Sequence, residues 1–280
     1  MSSPITFRQT WNQDVEVRAG ESAATYRFGS LPKACIHPLL TQAGHGLTGF
    51  EMSDHVWHRG IWFTIKLIND ANYWEENPPF GIQESRSQPK CELIAPDALR
   101  LTHEVHWTAE ATDLVIREQR DLTFRPRDGI IDWSSELLAA QDLTLDRTPY
   151  TTWGGYGGLS YRATRQLHDA NFLLPSGETV TGLAGQTHDW VVLQGSVDDG
   201  PNQRVSLAFI DHPGNPRSPS PWYCKAANGY GAYMNAAFLF HEKMPVARGQ
   251  SLRFRYRICY RDGTWSAGEF AKIAQEFAQT

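Results

Sequence analysis

The densest group of reactive side chains lies in residues 54–60, DHVWHRG, just before an apolar strand. Histidine changes its charge near neutral pH, so His55 and His58 are candidate acid–base catalysts. Asp54 can orient a ring, and Arg59 can hold a hydroxyl, carbonyl or carboxylate of a substrate. A spacing of three puts the two histidines on opposite faces of an extended chain, whereas a turn would bring them together. A purely structural turn accounts for the same residues equally well.

A second reactive segment, DHPGNPRSPSPWY, covers residues 211–223 and follows a predicted strand. Its four prolines stiffen the loop, because each fixes its own φ angle and restricts the preceding residue. We expect two catalytic residues here, Asp211 and His212, and three substrate-binding residues, Asn215, Arg217 and Trp222. The indole ring suits stacking on the C–H face of a sugar. The alternative is that the prolines only shape a long connection.

Three further segments add weaker candidates. Glu75 follows two aromatic residues, and Glu84 lies a little further on; carboxylates beside aromatic rings suit carbohydrate binding and acid–base catalysis. Tyr156 lies in a glycine-rich stretch that lacks the P-loop pattern and is typical of a bulge or a close approach to a ligand. His37 follows a short apolar run, and we expect it to point into the same region.

The composition limits the classes of function. The 280 residues carry 26 basic and 31 acidic side chains, a net charge of −5 that argues against nucleic-acid binding. No stretch reaches the roughly 18 consecutive apolar residues of a membrane-spanning helix, and residues 1–10 do not resemble a secretory signal. The four cysteines form no C-x-x-C pair, so we expect free thiols and a cytoplasmic location.

Alternating apolar and polar residues predict a chain made mostly of strands. The clearest predicted strand is Leu252–Tyr260, which ends before an Asp-Gly turn. The other predicted strands are 60–68, 101–107, 113–124, 130–145, 188–194, 204–211 and 233–241. One helix is predicted over Ser266–Ala278, because Ser266 and Glu269 have the spacing of a capping box before an apolar helical face.

The order of these elements predicts the fold class. Many strands follow one another without alternating helices, and no linker-like segment divides the chain. We therefore expect a single domain over residues 1–280, an all-β antiparallel sandwich with a short C-terminal helix.

Taken together, these motifs resemble those of a bacterial family labelled methane oxygenase PmoA-like. The resemblance covers nearly the whole chain. Its matching residues are His37-Pro38-Leu39, the segment 54–62, the looser match 72–75, the segment 211–222 and the last strand with its Asp-Gly turn. Many members carry a histidine where this chain has Gln83-Glu84-Ser85. Either Glu84 replaces that histidine or the site differs.

The resemblance implies a large β-sandwich similar to the aldose-mutarotase superfamily. Sites of that superfamily move protons on a sugar with histidines and a carboxylate on the concave face of a sheet, so the implied ligand is a small carbohydrate. The label itself refers to a subunit of an integral membrane enzyme, whereas this sequence contains no apolar stretch of that length. We therefore treat the label as a transferred misnomer.

Three functions agree with the sequence. The first is an enzyme that moves protons on a sugar or glycoside, by mutarotation, epimerisation, or elimination or hydrolysis of an oxidised glycoside. The second is a metal-dependent, oxygenase-like enzyme in which His55, His58 and a distant His or Glu bind a divalent ion; the sequence requires no cofactor and leaves this one open. The third is a non-catalytic carbohydrate-binding accessory protein. The oligomeric state is left open as well.

Overall fold

A computed structural model describes residues 4–76, 80–109, 113–148, 155–197, 203–227 and 231–280. Within these ranges the chain forms 25 strands and one helix. The strands are β1 Thr6–Thr10, β2 Asp14–Ala19, β3 Ser22–Arg27, β4 Cys35–Leu40, β5 Phe50–Met52, β6 His55–Arg59, β7 Ile61–Ile65, β8 Leu67–Ile68, β9 Ala71–Asn72, β10 Gly81–Ser85, β11 Lys90–Ala95, β12 Ala98–Ala109, β13 Asp113–Arg125, β14 Ile130–Ala139, β15 Leu143–Asp146, β16 Gly157–Arg162, β17 His168–Leu173, β18 Thr179–Val180, β19 Gly182–Thr187, β20 Trp190–Ser196, β21 Arg204–Asp211, β22 Pro221–Ala227, β23 Gly231–Ala236, β24 Met244–Val246 and β25 Ser251–Asp262. The helix is α1, Ala267–Ala278.

Two large antiparallel sheets hold most of these strands. The nine-stranded sheet has the order β1-β2-β3-β4-β7-β16-β23-β22-β19. The ten-stranded sheet has the order β10-β12-β13-β14-β25-β21-β20-β17-β18, with β11 also paired to β12. The main apolar core combines residues of both sheets, for example Phe63 of β7 with Phe254 and Tyr256 of β25. The predicted all-β antiparallel sandwich is confirmed.

The nine-stranded sheet also buries residues on its other face. Successive side chains of a strand point to opposite faces, so Ile61 and Phe63 enter the main core while Trp62 does not. On β23, Met234 joins the main core and Tyr233 lies on the opposite face. The outward residues form a separate aromatic cluster around Cys35, Trp62, Trp74 and Tyr233. This cluster is the base of the candidate site.

Helix α1 covers the outer face of the ten-stranded sheet. The predicted capping box is present: the Ser266 side chain accepts from the backbone of Glu269, and the Glu269 side chain accepts from the backbone of Ser266. Phe270 and Phe277 are buried in a second apolar cluster that includes Trp190. In the described part of the chain, α1 has 12 residues, and no helix is both long and apolar enough to cross a membrane.

Two predicted strands extend too far. The predicted strand 130–145 divides into β14 and β15, because β14 pairs with β25 only as far as Ser251, where β25 begins. The predicted strand 233–241 ends at Ala236. Residues 237–240 are all buried but form a turn, in which the Phe240 amide donates to the Ala237 carbonyl oxygen. An apolar run alone does not distinguish a buried turn from a strand.

Candidate functional site

An irregular hairpin brings His55 and His58 together. Strand β5 pairs Phe50 with Arg59 and Met52 with His55, so β6 has two more residues than β5 between these pairs. Such a bulge bends and twists a strand and redirects its side chains. The two imidazole rings stack with their centroids 4.6 Å apart and their planes at 20°. A regular strand would have placed them on opposite faces.

Asp54 holds the His55 ring and is itself held by two arginines. His55 Nδ1 donates to Asp54 Oδ2 at 2.8 Å, and the same carboxylate accepts from Arg162 and Arg165. Burial raises the pKa of Asp54, but the hydrogen bonds from His55 and Arg162 outweigh it and hold that pKa well below its usual range. Because an ionised carboxylate only accepts, Nδ1 of His55 carries a proton, and in the neutral ring Nε2 is an acceptor.

His58 is a buried, neutral imidazole. Its side chain is 4% exposed and its ring lies between those of His55 and Tyr233, whose centroid is 5.2 Å away. Burial lowers the pKa of His58 to about 2, helped by the charges of His55 and Arg162. Among the described residues, none forms a hydrogen bond with its buried Nδ1. This ring therefore stays uncharged at neutral pH.

These side chains open into a pocket of about 380 Å³, a volume typical of small-molecule sites. Its described lining consists of Asp54, His55, Trp57, His58, Trp74, Glu75 and Tyr156. Trp74 and Tyr156 stack with their centroids 4.7 Å apart and their planes at 10°. Trp57 lies edge-on to the His55 ring at 5.3 Å. The pocket thus combines flat aromatic walls with one histidine–carboxylate pair and one further carboxylate.

Glu75 is placed by its neighbour Asn72. Asn72 Oδ1 accepts from the backbone amides of Trp74 and Glu75, and its Nδ2 donates to Glu75 Oε2 at 2.8 Å. Lys66 donates to the same Oε2. Glu75 Oε1 has no hydrogen-bond partner among the described residues, so it remains free to accept from a ligand.

Arg59 and His37 support the hairpin from behind the pocket. Arg59 donates to Glu76 at 2.9 Å and to Glu51, and its guanidinium lies over the Phe50 ring. The His37 ring stacks on the same phenylalanine at 4.9 Å. Burial, followed by the charge of a nearby arginine, lowers the pKa of His37 to about 4. Neither residue belongs to the described lining.

The second sequence motif does not reach this pocket. The Asp211 carboxylate accepts from Asn215 Nδ2 at 2.7 Å and from the Ser220 amide at 2.8 Å, and burial raises its pKa. His212 Nδ1 accepts from the Gly214 amide at 2.9 Å, and the ring meets Phe277 of α1 edge-on. These contacts shape the loop and seat it beside the helix.

Three other predicted site residues also lie elsewhere. Arg217 is bound to backbone carbonyl oxygens of residues 238, 242 and 243. Trp222 is 0% exposed in the main core and donates Nε1–H to a carbonyl oxygen, so it has no ring face to offer a sugar. Glu84 pairs with Arg86 and lines a different pocket. The structure corrects the expected position of all three.

The sequence analysis missed several aromatic residues around the pocket. Trp57 lines it, and Trp62 and Tyr233 lie beneath it. Tyr223 points to the same face and meets Tyr156 edge-on at 5.5 Å, whereas its neighbour Trp222 points into the core. The pattern that marks Trp62 and Tyr233 is an aromatic residue between two apolar residues of a strand. If the apolar neighbours face the main core, the aromatic side chain points to the opposite face.

The site geometry does not favour a metal centre. No group of three or more potential ligands from His, Cys, Asp and Glu is gathered among the residues that the structure describes. The rings of His55 and His58 are stacked in nearly parallel planes with their centroids 4.6 Å apart, so their in-plane nitrogen lone pairs lie in separate planes. Two imidazoles that share an ion need lone pairs that converge on it.

A family model described as a family of unknown function, DUF6807, matches residues 14–275. The chain belongs to this family. The PmoA-like label suggested by the sequence motifs is not supported, since the matching family model carries no such name. No curated protein sequence matches this DUF6807 member.

Several solved structures share the architecture of this DUF6807 member. The galactosidase domain of the α-galactosidase–sucrose kinase AgaSK matches 92% of this chain and 42% of its own, at 9% identity and a TM-score of 0.52. A variant of the GH36 α-galactosidase AgaA from Geobacillus stearothermophilus, in complex with raffinose, matches 89% and 41% at 10% identity and 0.50. A putative aldose 1-epimerase from Klebsiella pneumoniae matches 95% and 83% at 11% identity and 0.48.

At identities this low, the two galactosidase matches show a shared fold and nothing finer. This DUF6807 member spans about two fifths of the length of the two galactosidase chains. Its fold is therefore one that sugar-processing enzymes also use.

Proposed function

We propose that this protein is an enzyme that transfers protons on a sugar or glycoside, with His55 as the acid–base catalyst. The observation that carries the proposal is the Asp54–His55 pair, which opens into an aromatic pocket of about 380 Å³. A sugar needs flat apolar surfaces for its C–H faces and polar groups for its hydroxyls, and this lining offers both.

Each residue of the pair has a distinct part in the proposed reaction. His55 Nε2 takes a proton from a hydroxyl or from a carbon next to a carbonyl, and the protonated ring then returns a proton to the substrate. Asp54 keeps the proton on Nδ1 and stabilises the charged ring while it exists. Epimerisation next to a carbonyl consists of such transfers. Mutarotation also breaks and re-forms the C–O bond of the sugar ring, and elimination from an oxidised glycoside breaks the glycosidic C–O bond, whose oxygen leaves with the proton that His55 returns.

His58 is a positioning residue in this proposal rather than a second acid–base catalyst. A ring whose pKa is about 2 cannot be protonated near neutral pH, but it can hold the His55 ring by stacking on it. Glu75, with its free Oε1, is placed to accept a hydrogen bond from a sugar hydroxyl. Trp57 and Tyr156, which are both partly exposed, provide the stacking surface.

The test measures binding and proton transfer separately. Aldoses, methyl glycosides and 3-oxo-glycosides are first screened by ligand-induced thermal shift, since a ligand at about 100 times its Kd stabilises by roughly 2.7 kcal/mol. Ligands that bind are then followed by polarimetry and by proton NMR in D₂O, which detects exchange of carbon-bound protons. His55→Gln should lower the exchange rate by about 10²- to 10⁴-fold.

His106 offers a matched control for this experiment. It pairs with Glu104 at 2.8 Å on the ten-stranded sheet, so it is also a histidine–carboxylate pair but lies outside the pocket. His106→Gln should leave the rate unchanged. Sugar binding with neither proton exchange nor a change in optical rotation would favour the non-catalytic binding protein, and a His55→Gln variant as fast as the wild type would refute the assignment of His55.

A further inference from the structure

The charged side chains of the pocket wall are all acidic. Asp54 and Glu75 belong to the described lining, which contains neither lysine nor arginine. All 26 basic residues of the sequence fall within the described ranges, because residues 1–3, 77–79, 110–112, 149–154, 198–202 and 228–230 contain none. A substrate with a negative group would therefore meet no lysine or arginine in this wall.

Three basic residues are paired with these carboxylates, and Lys33, which donates to the Trp74 carbonyl oxygen, is paired with Glu76. Arg162 and Arg165 donate to Asp54, and Lys66 donates to Glu75 Oε2. Their hydrogen bonds are directed at the carboxylate oxygens. Glu75 Oε1 is the charged atom of the lining that accepts no hydrogen bond from any described residue.

The aromatic rings of the wall also favour a positively charged ligand. Trp57, Trp74 and Tyr156 line the pocket, and the face of an aromatic ring carries a negative partial charge. An ammonium group within about 6 Å of such a ring is attracted to it, most strongly to tryptophan. A carboxylate in the same position is repelled by the ring faces and by Glu75, and it loses part of its hydration on entering.

We propose that the pocket selects sugars bearing a protonated amine, with Glu75 and the partly exposed Trp57 ring as the groups that recognise the ammonium. This inference rests on the proposed function and names its substrate class. Acidic sugars are the class that the pocket rejects, and neutral sugars bind with intermediate affinity. The ammonium donates to Glu75 Oε1 in a charge-assisted hydrogen bond while an aromatic face covers its other side.

The experiment uses substrate analogues that differ at one position. The series consists of methyl glucoside, its 6-amino-6-deoxy analogue and methyl glucuronide, with the corresponding galactose and mannose series and the 2-amino-2-deoxy sugars. Kd values of the wild-type protein are measured by calorimetry or NMR titration at pH 7 in low salt. The amino sugar should bind about 10-fold more tightly than the neutral sugar of its series, and the uronide about 10-fold more weakly.

Two variants identify the groups responsible. Glu75→Gln should bring the ratio of amino-sugar to neutral-sugar affinity close to one, and Trp57→Leu should lower it about two- to fivefold. Glu84→Gln is the control, because this glutamate lines a different pocket and should leave the ratio unchanged. The wild-type series alone decides the matter if Glu75→Gln fails to fold.

The outcomes separate this inference from the proposed function. If sugars bind but the uronide binds as tightly as the amino sugar or more tightly, the charge selection is overturned and the proposed function stays intact. An amino sugar no tighter than its neutral counterpart would overturn it as well. If no sugar of any series binds, the proposed function fails and this inference fails with it.

Discussion

The role assigned to His55 depends on the hydrogen-bond partners of the Asp54 carboxylate. Its carboxylate accepts hydrogen bonds from His55, Arg162 and Arg165, of which Arg165 is 47% exposed. Two cations keep the carboxylate ionised, and this fixes the proton of His55 on Nδ1. A pair so arranged orients the ring firmly.

Replacing Asp54 by Asn tests this orienting role. The amide can donate to Nδ1, which would favour the wrong tautomer and leave the proton on Nε2. We expect Asp54→Asn to lower the proton-exchange rate on a bound sugar by about 10²- to 10⁴-fold with little change in Kd. The rate and the Kd are measured by NMR on the same sample.

Arg165→Gln serves as the companion variant, since it removes an exposed partner of Asp54 and leaves the bond to His55 in place. It should keep most of the exchange rate. A rate in Asp54→Asn equal to that of the wild type would show that His55 does not need its carboxylate.

At the scale of single elements, the local sequence predicts the regular parts and misses the irregular ones. The alternation in β25 and the capping box of α1 depend on neighbouring residues, and both were predicted. The bulge in β6 depends instead on the register with β5, which no local pattern contains. The sequence therefore left open whether His55 and His58 meet.

The same limit explains the error at residues 222 and 223. Which of two adjacent aromatic residues faces the core is set by a one-residue choice of register across the whole sheet. Trp222 pairs with Ala236 and Tyr223 with Asn235, and this register sends the tryptophan inward. The sequence analysis predicted a loop here, and even a strand predicted over Pro221–Ala227 would have left open which of the two rings faces the core. The hydrogen bonds of Asp211 and of His212 Nδ1 within the loop likewise depend on its folded conformation, which the sequence pattern does not contain.

The N-terminal cap of α1 gives a prediction that belongs to this element alone. Removing the Ser266 hydroxyl leaves a backbone N–H of the first turn without its acceptor, so Ser266→Ala should lower the free energy of unfolding by about 1 kcal/mol. Urea unfolding followed by circular dichroism measures this loss. Ser266→Gly should have a smaller effect of a few tenths of a kcal/mol.

Ligand affinity should not change in either cap variant. The helix packs on the outer face of the ten-stranded sheet, whereas the pocket lies on the outward face of the nine-stranded sheet. The whole sandwich therefore separates the two. A weaker Kd in Ser266→Ala would mean that the helix and the pocket are coupled.

At the scale of the whole molecule, buried histidines make the sandwich sensitive to acid. His103 is 1% exposed and connects the two sheets: its Nδ1 bonds to the Tyr26 hydroxyl at 2.9 Å, and its Nε2 to Ser85 at 2.7 Å. Burial, followed by the charge of Arg120, lowers the pKa of His103 to about 3. His58 on the other face of the nine-stranded sheet has a pKa of about 2.

The direction of the pH effect follows from these two values. In the unfolded chain both histidines take up protons below about pH 6.5, while in the folded chain they stay neutral. The unfolded state then binds more protons, so the free energy of unfolding falls as the pH falls. Between pH 7 and pH 5 the loss should be about 2 kcal/mol for each histidine, before the carboxylates begin to titrate.

Urea unfolding at pH 7 and pH 5 measures this loss, and His103→Gln tests its origin. Glutamine can keep part of the hydrogen bonding to Tyr26 and Ser85 but has no proton to gain, so the variant should be less stable at pH 7 and lose about 2 kcal/mol less than the wild type on going to pH 5. If His103→Gln keeps the full wild-type slope, the proton uptake occurs elsewhere. In that case the folded protein accommodates a protonated His103 between the two sheets.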